Sequence, residues 1–358
     1  MLKARKAVRE LKEYHPPLAG RTGLRLDFNE NTDGCSPRVL ERVQRITADE
    51  LSRYPEREPV EKVVGGYLGM SSEQILLTNG VDEGIHLLCE TYLDAGDEAV
   101  VVTPTFGMYE VLAAATGARV VTVQCEGEFR FPLEVVLCSL NPKTRLVAIA
   151  SPNNPTGTAA TRDETMQICC AAPDAAVLVD EAYYDFHGET VLPDLASMPN
   201  LFAARTFSKA YGLAGLRAGI LVGDARQMRA VRRVASPYNV NALALLALPS
   251  ALQDSDYLLG YVRQIKAGRD RLQAKLENLG LRYWPSHANF VLIHVGPCHR
   301  EFVAAMREHG ILVRDRSLDP GCDGCVRITI GTREQMDVVV PVLEQVATEL
   351  GLPKAVSA

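Results

Sequence analysis

The stretch FAARTFSKAYGLAGLRAGILVG, residues 202–223, places a loop of small residues between two apolar runs. Similar short apolar runs occur earlier in the chain, at Ile75–Thr78, Ala99–Thr103, Ala118–Val123, Leu146–Ala150 and Ala176–Val179. Several of these runs are rich in Val, Ile and Leu without alternating polar residues, which is typical of strands buried on both faces. Helical patterns lie between many of the runs, as in residues 82–95. The sequence therefore predicts an α/β fold with a mostly parallel, seven-stranded sheet between helices.

The pattern changes towards the C-terminus. Residues from Gln253 to Leu279 predict one long helix that ends at Gly280. Strand-like runs and helical patterns follow at Phe290–His294, Arg300–His309, Ile311–Val313, Val326–Ile330 and Arg333–Leu350. We expect three parts: an N-terminal arm over residues 1–35, a large ligand-binding domain over 36–248 and a small α+β domain over 249–358. The arm has too little apolar periodicity to fold alone, so we expect it to pack on the small domain or on a partner subunit.

Composition and charge exclude several classes of protein. The chain has 358 residues, of which 47% are hydrophobic and 23% charged, which is ordinary for soluble globular proteins and rules out a disordered or fibrous chain. Its 38 Lys and Arg against 44 Asp and Glu give a net charge of −6. Nucleic-acid binding is therefore not expected, because that function needs a basic face.

Cysteines and targeting signals indicate a cytoplasmic protein. The nine cysteines are odd in number and mostly lie in apolar runs, which favours reduced thiols over a disulfide framework. The charged N-terminus lacks an apolar signal core. The apolar stretch Asn241–Leu252 contains Pro249 and is too short to span a membrane, so no membrane contact is expected. The Cys322–Cys325 pair lacks a second pair or a suitably spaced His, so no metal site is predicted.

Lys209 is the candidate reactive group of the opening stretch. Its neighbours are small and apolar, and an ammonium group is costly to bury among them. Desolvation lowers the pKa of a lysine and leaves a nucleophilic amine that can form a Schiff base. Thr206 and Ser208 add hydroxyls, and Arg217 adds a guanidinium that can bind a phosphate bidentately. A surface lysine on a glycine-rich loop is the alternative, which the whole string of residues 205–217 disfavours.

Further polar motifs follow apolar runs, where the strands of an open α/β sheet present ligand-binding residues. They are Thr78–Glu83 (TNGVDE), Pro104–Tyr109 (PTFGMY), Ser151–Gly157 (SPNNPTG) and Val179–Tyr183 (VDEAY). Each has an ordinary structural interpretation: a helix cap at Asp82, a core side chain at Tyr109, a turn at 151–157 and a strand-end residue at Asp180. The first motif also predicts an anion site at a helix N-terminus. A buried Asp180 would need a cationic partner or several donors.

Together and in this order, the string at 205–217 and these motifs resemble fold-type I pyridoxal-phosphate (PLP) aminotransferases, most closely the histidinol-phosphate aminotransferase branch. The resemblance covers nearly the whole chain. It implies that Lys209 holds PLP as a Schiff base and later acts as general base, that Asp180 pairs with the pyridinium nitrogen, and that Tyr183 donates to the ring oxygen beside Asn154. The other implied cofactor contacts are Gly80, Val81, Asp82, Thr206, Ser208 and Arg217 at the phosphate and Tyr109 stacked on the ring.

Substrate-binding residues are implied in the small domain and the arm. Arg327 is flanked by apolar residues in a predicted strand, and a buried arginine needs an anionic partner. By resemblance, Arg327 binds the carboxylate of glutamate or the phosphate of the other substrate, with Asn154 beside it. Arg314 resembles the second anion-binding arginine of the branch, although a solvent-exposed pair with Asp315 has similar weight. Tyr14 lies where related enzymes contact the substrate phosphate.

The resemblance also implies a homodimer. Tyr54, before Pro55, matches a tyrosine that reaches the neighbouring subunit's PLP phosphate; a surface tyrosine before a turn is the competing interpretation. The segment Asn29–Asn31 resembles part of the family's N-terminal substrate wall.

The implied activity is transfer of an amino group from histidinol phosphate to 2-oxoglutarate in histidine biosynthesis. An aromatic amino acid aminotransferase and a phosphothreonine decarboxylase of the same fold are the alternatives. A non-enzymatic PLP-binding regulatory module is least favoured, because the chain is not basic and no spare DNA-binding domain is visible.

Overall fold

The computed structural model describes residues 2–13, 20–125 and 127–352 of the chain. Its strands are β1 (Leu24–Arg25), β2 (Ile75–Asn79), β3 (Glu98–Thr103), β4 (Arg119–Gln124), β5 (Thr144–Ala150), β6 (Ala176–Asp180), β7 (Leu201–Thr206), β8 (Ala218–Gly223), β9 (Tyr283–Trp284), β10 (Phe290–His294), β11 (Ile311–Leu312), β12 (Arg314–Asp315) and β13 (Cys325–Thr329). Its helices are α1 (Lys6–Arg9), α2 (Pro37–Gln44), α3 (Ala48–Ser52), α4 (Glu58–Leu68), α5 (Val81–Tyr92), α6 (Met108–Thr116), α7 (Leu133–Ser139), α8 (Arg162–Ala171), α9 (Tyr184–His187), α10 (Ala225–Val231), α11 (Ala242–Gln253), α12 (Ser255–Leu279), α13 (His299–Glu308) and α14 (Arg333–Glu349).

The central sheet contains seven strands in the order β2-β8-β7-β6-β5-β3-β4. The pairs from β4 through β3, β5 and β6 to β7 are parallel. Strand β8 is antiparallel to both of its neighbours, β7 and β2, so it alone runs against the other six. This arrangement confirms the α/β fold and the mostly parallel seven-stranded sheet predicted from the sequence.

The central sheet is buried on both faces. In β2, Ile75 and Leu77 enter one hydrophobic core and Leu76 enters the other, because successive side chains of a strand point to opposite faces. Helices α5, α6 and α10 contribute to the core that contains Leu76. Helices α4, α7, α8 and α11 contribute to the opposite one. This double burial explains why the strands appear in the sequence as uninterrupted apolar runs.

A second, antiparallel sheet lies in the C-terminal part, in the order β12-β13-β10-β9. The predicted long helix is α12, which ends at Gly280 with a φ of +66°. The residues before it also form a helix, α11, although it contains Pro249. Near the N-terminus, β1 pairs in parallel with β11, so Leu24 lies beside Ile311. The domain boundaries themselves stay a prediction.

The polar motifs lie at one edge of the central sheet. The parallel strands β3, β5, β6 and β7 and the co-directional β2 all end there. Because β8 runs in the opposite direction, it begins at this same edge, and Arg217 directly before it joins the residues that follow the other strands.

Membrane-spanning helices and metal-binding clusters are absent from the described ranges. No helix there has the length and apolar character needed to cross a membrane. No group of three or more His, Cys, Asp or Glu side chains is placed to hold a metal ion.

Candidate active site

A cavity of about 190 Å³ lies at this edge of the sheet. Most of the cofactor-binding residues expected from the sequence line it: Val81, Asp82, Tyr109, Asn154, Asp180, Tyr183, Thr206, Ser208, Lys209 and Arg217. They follow or precede six different strands and are brought together only by the fold. Such convergence at the carboxyl ends of strands is the usual location of ligand sites in open α/β sheets.

One end of the cavity is suited to an anion. Gly80 precedes α5 with a φ of +76°, a backbone conformation that favours glycine, and the Arg217 guanidinium packs closely against it. No side chain caps the first turn of α5. Within the described part of the chain, the buried Ser208 hydroxyl has no hydrogen-bond partner. Arg217 donates to Asp82 Oδ2 at 3.1 Å. A phosphate at this position would satisfy the hydroxyl and the helix N–H groups.

Lys209 lies in the loop after β7 and is partly buried. Its Nζ donates to the backbone carbonyl of Phe28 at 3.0 Å, so the N-terminal segment contacts the site. Burial lowers the pKa of Lys209 to about 8, and the positive charge of Arg327 is the next cause. An amine with such a pKa is partly neutral near pH 7 and is therefore available as a nucleophile and as a base.

Asp180, at the end of β6, is a buried carboxylate. Tyr109 Oη donates to its Oδ2 at 2.5 Å, and the Ala182 backbone N–H donates to its Oδ1 at 3.0 Å. Burial raises the pKa of Asp180 to about 6. A protonated ring nitrogen placed in the cavity would supply the positive charge that stabilises the carboxylate.

A second cavity of about 450 Å³ adjoins the first. It shares Asn154, Tyr183 and Lys209 with the first cavity and adds Arg314 and Arg327. The fold therefore brings both arginines expected to bind substrate to the side of Lys209 away from the anion end.

Arg327, in β13, is buried and held by neutral groups. Its Nη1 donates to Asn154 Oδ1, and its Nη2 donates to the Asp27 carbonyl at 2.6 Å. Its Nε is buried without a partner among the described residues, and no carboxylate there forms a salt bridge with it. Burial lowers its pKa to about 9, with the charge of Arg316 as the next cause. An anionic ligand would compensate this buried charge.

Arg314, in β12, lies directly opposite Arg327 in the antiparallel ladder. Its guanidinium carbon is 5.3 Å from the centre of the Phe28 ring. The carboxylate of the neighbouring Asp315 lies 3.0 Å from Nδ1 of His299. Arg314 also lines the second cavity.

Tyr54, which was expected to reach the neighbouring subunit's cofactor, lies at the surface of this chain. Tyr54 is 76% exposed, and its ring stacks on Tyr238 with 4.3 Å between ring centres; it lines neither cavity. Tyr14 lies outside the described residues.

Two further residues at the site, Asn29 and Arg316, were not among the predicted cofactor and substrate contacts, although Asn29 lies in the segment that resembles the substrate wall. Asn29 Nδ2 donates to Tyr183 Oη at 2.9 Å, and Thr329 Oγ1 donates to Asn29 Oδ1 at 3.0 Å. Arg316 lines the second cavity. Its position two residues after Arg314 was the available signal, because residues i and i+2 of a strand lie on the same face.

Comparisons with known proteins agree with this geometry. Residues 21–343 match the family model described as aminotransferase class I and II. The chain is 35% identical to a histidinol-phosphate aminotransferase from Moorella thermoacetica, covering 96% of this chain and 93% of that protein. It is 37% identical to a histidinol-phosphate aminotransferase from Roseiflexus castenholzii, covering 92% and 93%.

A solved structure is similar over almost the whole length. It is the histidinol-phosphate aminotransferase from Sinorhizobium meliloti in complex with pyridoxal 5'-phosphate. The TM-score is 0.87 at 26% sequence identity, and the match covers 98% of this chain and 99% of that chain.

Proposed function

Because the chain belongs to the aminotransferase class I and II family and is a PLP-dependent transaminase, we propose that its amino donor is histidinol phosphate and its acceptor is 2-oxoglutarate. The similarity to histidinol-phosphate aminotransferases over more than nine-tenths of the chain supports this substrate. The main structural support for this substrate is the cavity beside Lys209 that is lined by arginines.

The residues of the first cavity fit the cofactor. Gly80, Ser208 and Arg217 would hold its phosphate, and Asp180 would hold its ring nitrogen. When bound, PLP supplies an electron sink that stabilises negative charge at the substrate Cα. The Ser208 hydroxyl has no hydrogen-bond partner among the described residues, and the Asp180 carboxylate is buried; the cofactor would supply the hydrogen bond and the positive charge that these two groups need.

Lys209 has two tasks in this proposal. It would hold the cofactor, and its amine, when free and neutral, would take the proton from the donor's Cα. Burial and the nearby Arg327 keep the pKa of this amine at about 8, which places it close to the optimum for proton transfer at neutral pH.

Arg327 and Arg314 would bind the anionic end of each substrate in turn. A phosphate has three acceptor oxygens and up to two negative charges, so it can accept from both guanidinium groups. The carboxylates of glutamate and 2-oxoglutarate can use the same residues in the second half-reaction. A buried arginine without a carboxylate partner makes ligand charge a requirement for tight binding.

The experiment is a comparison of amino donors with purified, PLP-loaded enzyme and 2-oxoglutarate. We expect kcat/KM for histidinol phosphate to exceed that for phenylalanine by about tenfold or more, because phenylalanine's single carboxylate makes fewer charged hydrogen bonds. Brisk turnover of phenylalanine without turnover of histidinol phosphate would identify an aromatic aminotransferase instead. Release of carbon dioxide from phosphothreonine would identify the decarboxylase alternative.

We also infer a cytoplasmic homodimer that shares its active sites. All nine cysteines are free thiols, as expected in a reducing compartment. Tyr54 and Tyr238 form an exposed aromatic pair, with 76% and 55% of their surface accessible. Exposed stacked aromatic side chains are common in protein interfaces. A partner subunit covering this pair would bring its cofactor towards Tyr54.

Replacing Tyr54 with phenylalanine is expected to weaken PLP binding by about tenfold, because one hydrogen bond to a charged phosphate is lost. Equilibrium dialysis of PLP measures the effect, and Tyr238→Phe is the matched control. Mixed dimers of Tyr54→Phe and Lys209→Ala subunits should regain one native-affinity site, since Tyr54 comes from the other subunit. A fully active monomer would exclude the shared site.

A further inference from the structure

Three arginines lie on one face of the β12–β13 pair. Arg314 is the cross-strand partner of Arg327. The Arg316 backbone N–H donates to the Cys325 carbonyl at 2.9 Å, which continues the ladder beyond β12. Because side chains alternate along a strand, Arg316 lies on the same face as Arg314. All three arginines line the cavity that contains Lys209.

Arg316 is held differently from Arg327. Its side chain is 14% exposed, and its Nη2 contacts Oδ2 of Asp319, whose side chain is 25% exposed. Its Nε is buried without a hydrogen-bond partner in the part of the chain that the structure describes. Burial raises the pKa of Asp319 even though Arg316 lies beside it. Arg316 thus lines the cavity, forms one internal ion pair and has one buried donor without a partner among the described residues.

The clustering of like charges is costly without a ligand. Arg316 and Arg314 both help to lower the pKa of Arg327, after burial. Asp315, the other carboxylate of this strand, contacts His299 and Ser317 through its own oxygens. A ligand with two negative charges would relieve the repulsion among the three guanidinium groups more than a ligand with one.

We propose that Arg316 is a third anion-binding arginine of this site and selects a phosphate dianion over a carboxylate. The inference rests on the proposed function and concerns a different residue from the two that define it. In the substrate-free enzyme, Asp319 holds Arg316 at the cavity wall. When the phosphate enters, Arg316 donates to it, and Arg314 and Arg327 contact its remaining oxygens.

Two substitutions separate this role from a structural one, because both break the Arg316–Asp319 pair. Arg316→Gln removes the positive charge, and we expect KM for histidinol phosphate to rise about tenfold or more, the value of a charged hydrogen bond. The fold-increase in KM for glutamate should be about five times smaller than the fold-increase for histidinol phosphate. Asp319→Asn removes a competing negative charge, so we expect it to lower KM for histidinol phosphate. Arg316→Lys should recover part of the loss.

Melting temperatures of the two PLP-loaded variants complete the comparison. The proposal would be overturned if Arg316→Gln and Asp319→Asn were equally destabilised and both showed parallel increases in KM for the two substrates. The Arg316–Asp319 pair would then be a structural ion pair only. Retention of the wild-type KM for histidinol phosphate in Arg316→Gln would also overturn it.

Inorganic phosphate distinguishes failure of this inference from failure of the proposed function. It is tested as an inhibitor of the glutamate half-reaction, which does not depend on the identity of the donor. We expect weaker inhibition in Arg316→Gln than in the wild-type enzyme. The wild-type enzyme could fail to turn over histidinol phosphate while inorganic phosphate still inhibits it more strongly than it inhibits Arg316→Gln. In that case the proposed amino donor is wrong, and the anion-binding role of Arg316 holds. Equal inhibition of both enzymes refutes that role.

Discussion

Multiple-turnover transamination is expected to fall by about four orders of magnitude when Lys209 is replaced by alanine, the upper range for loss of a general base. The substitution removes the amine that we propose attaches the cofactor and takes the Cα proton. Among the residues that the structure describes, no lysine other than Lys209 lines either cavity. Steady-state rates with histidinol phosphate and with glutamate measure the loss, and both half-reactions should be affected because both need the same base.

The matched control is Lys143→Ala, since Lys143 is exposed in the turn before β5. It should retain wild-type rates. Added small primary amines should restore part of the proton transfer in Lys209→Ala, which a misfolded variant would not show. In the wild-type enzyme, borohydride should fix the cofactor to Lys209, as identified by peptide mass spectrometry. A label on another lysine, or multiple turnover by Lys209→Ala, would exclude this assignment.

The location of the site was predictable because its polar residues directly follow apolar runs in the sequence. Lys209 and Asp180 each follow an apolar run closely, and the carboxyl ends of parallel strands meet at one edge. Both line the same cavity in the structure. Arg217 precedes an apolar run instead, and only the reversed direction of β8 brings it to that edge. Local sequence patterns were therefore sufficient to predict the edge of the sheet at which the site lies. Predicting the complete set of site residues would also have required the strand order.

Contacts between distant segments could not be derived from local patterns. The Tyr109–Asp180 hydrogen bond joins residues 71 positions apart and depends on how α6 packs over the sheet. Asn29 reaches Tyr183 because Thr329, 300 positions further along the chain, holds its side chain. Arg316 lies two residues after the predicted Arg314, but its ion pair with Asp319 depends on the conformation of the intervening loop. Each of these contacts depends on the tertiary packing of segments that are far apart in the sequence.

The geometry at Asp180 supports the proposal that this residue sets the charge of the cofactor ring. Its carboxylate is buried and receives two hydrogen bonds, one from Tyr109 and one from a backbone N–H. Burial nevertheless raises its pKa to about 6, because two neutral donors do not replace a positive charge. A ring nitrogen within about 4–6 Å of a carboxylate gains basicity, which keeps it protonated at neutral pH.

Replacing Asp180 with asparagine is therefore expected to lower kcat by about a hundredfold or more, a loss typical of removing one preorganised electrostatic contact. The neutral amide leaves the ring nitrogen unprotonated and weakens its withdrawal of electrons from the substrate. Steady-state kinetics and the pH dependence of the bound cofactor's absorption spectrum measure the effect. Asp185→Asn is the matched control, because burial also raises the pKa of Asp185 to about 6 although it lines neither cavity. Equal kcat in Asp180→Asn and wild-type enzyme would show that the carboxylate does not set the ring charge.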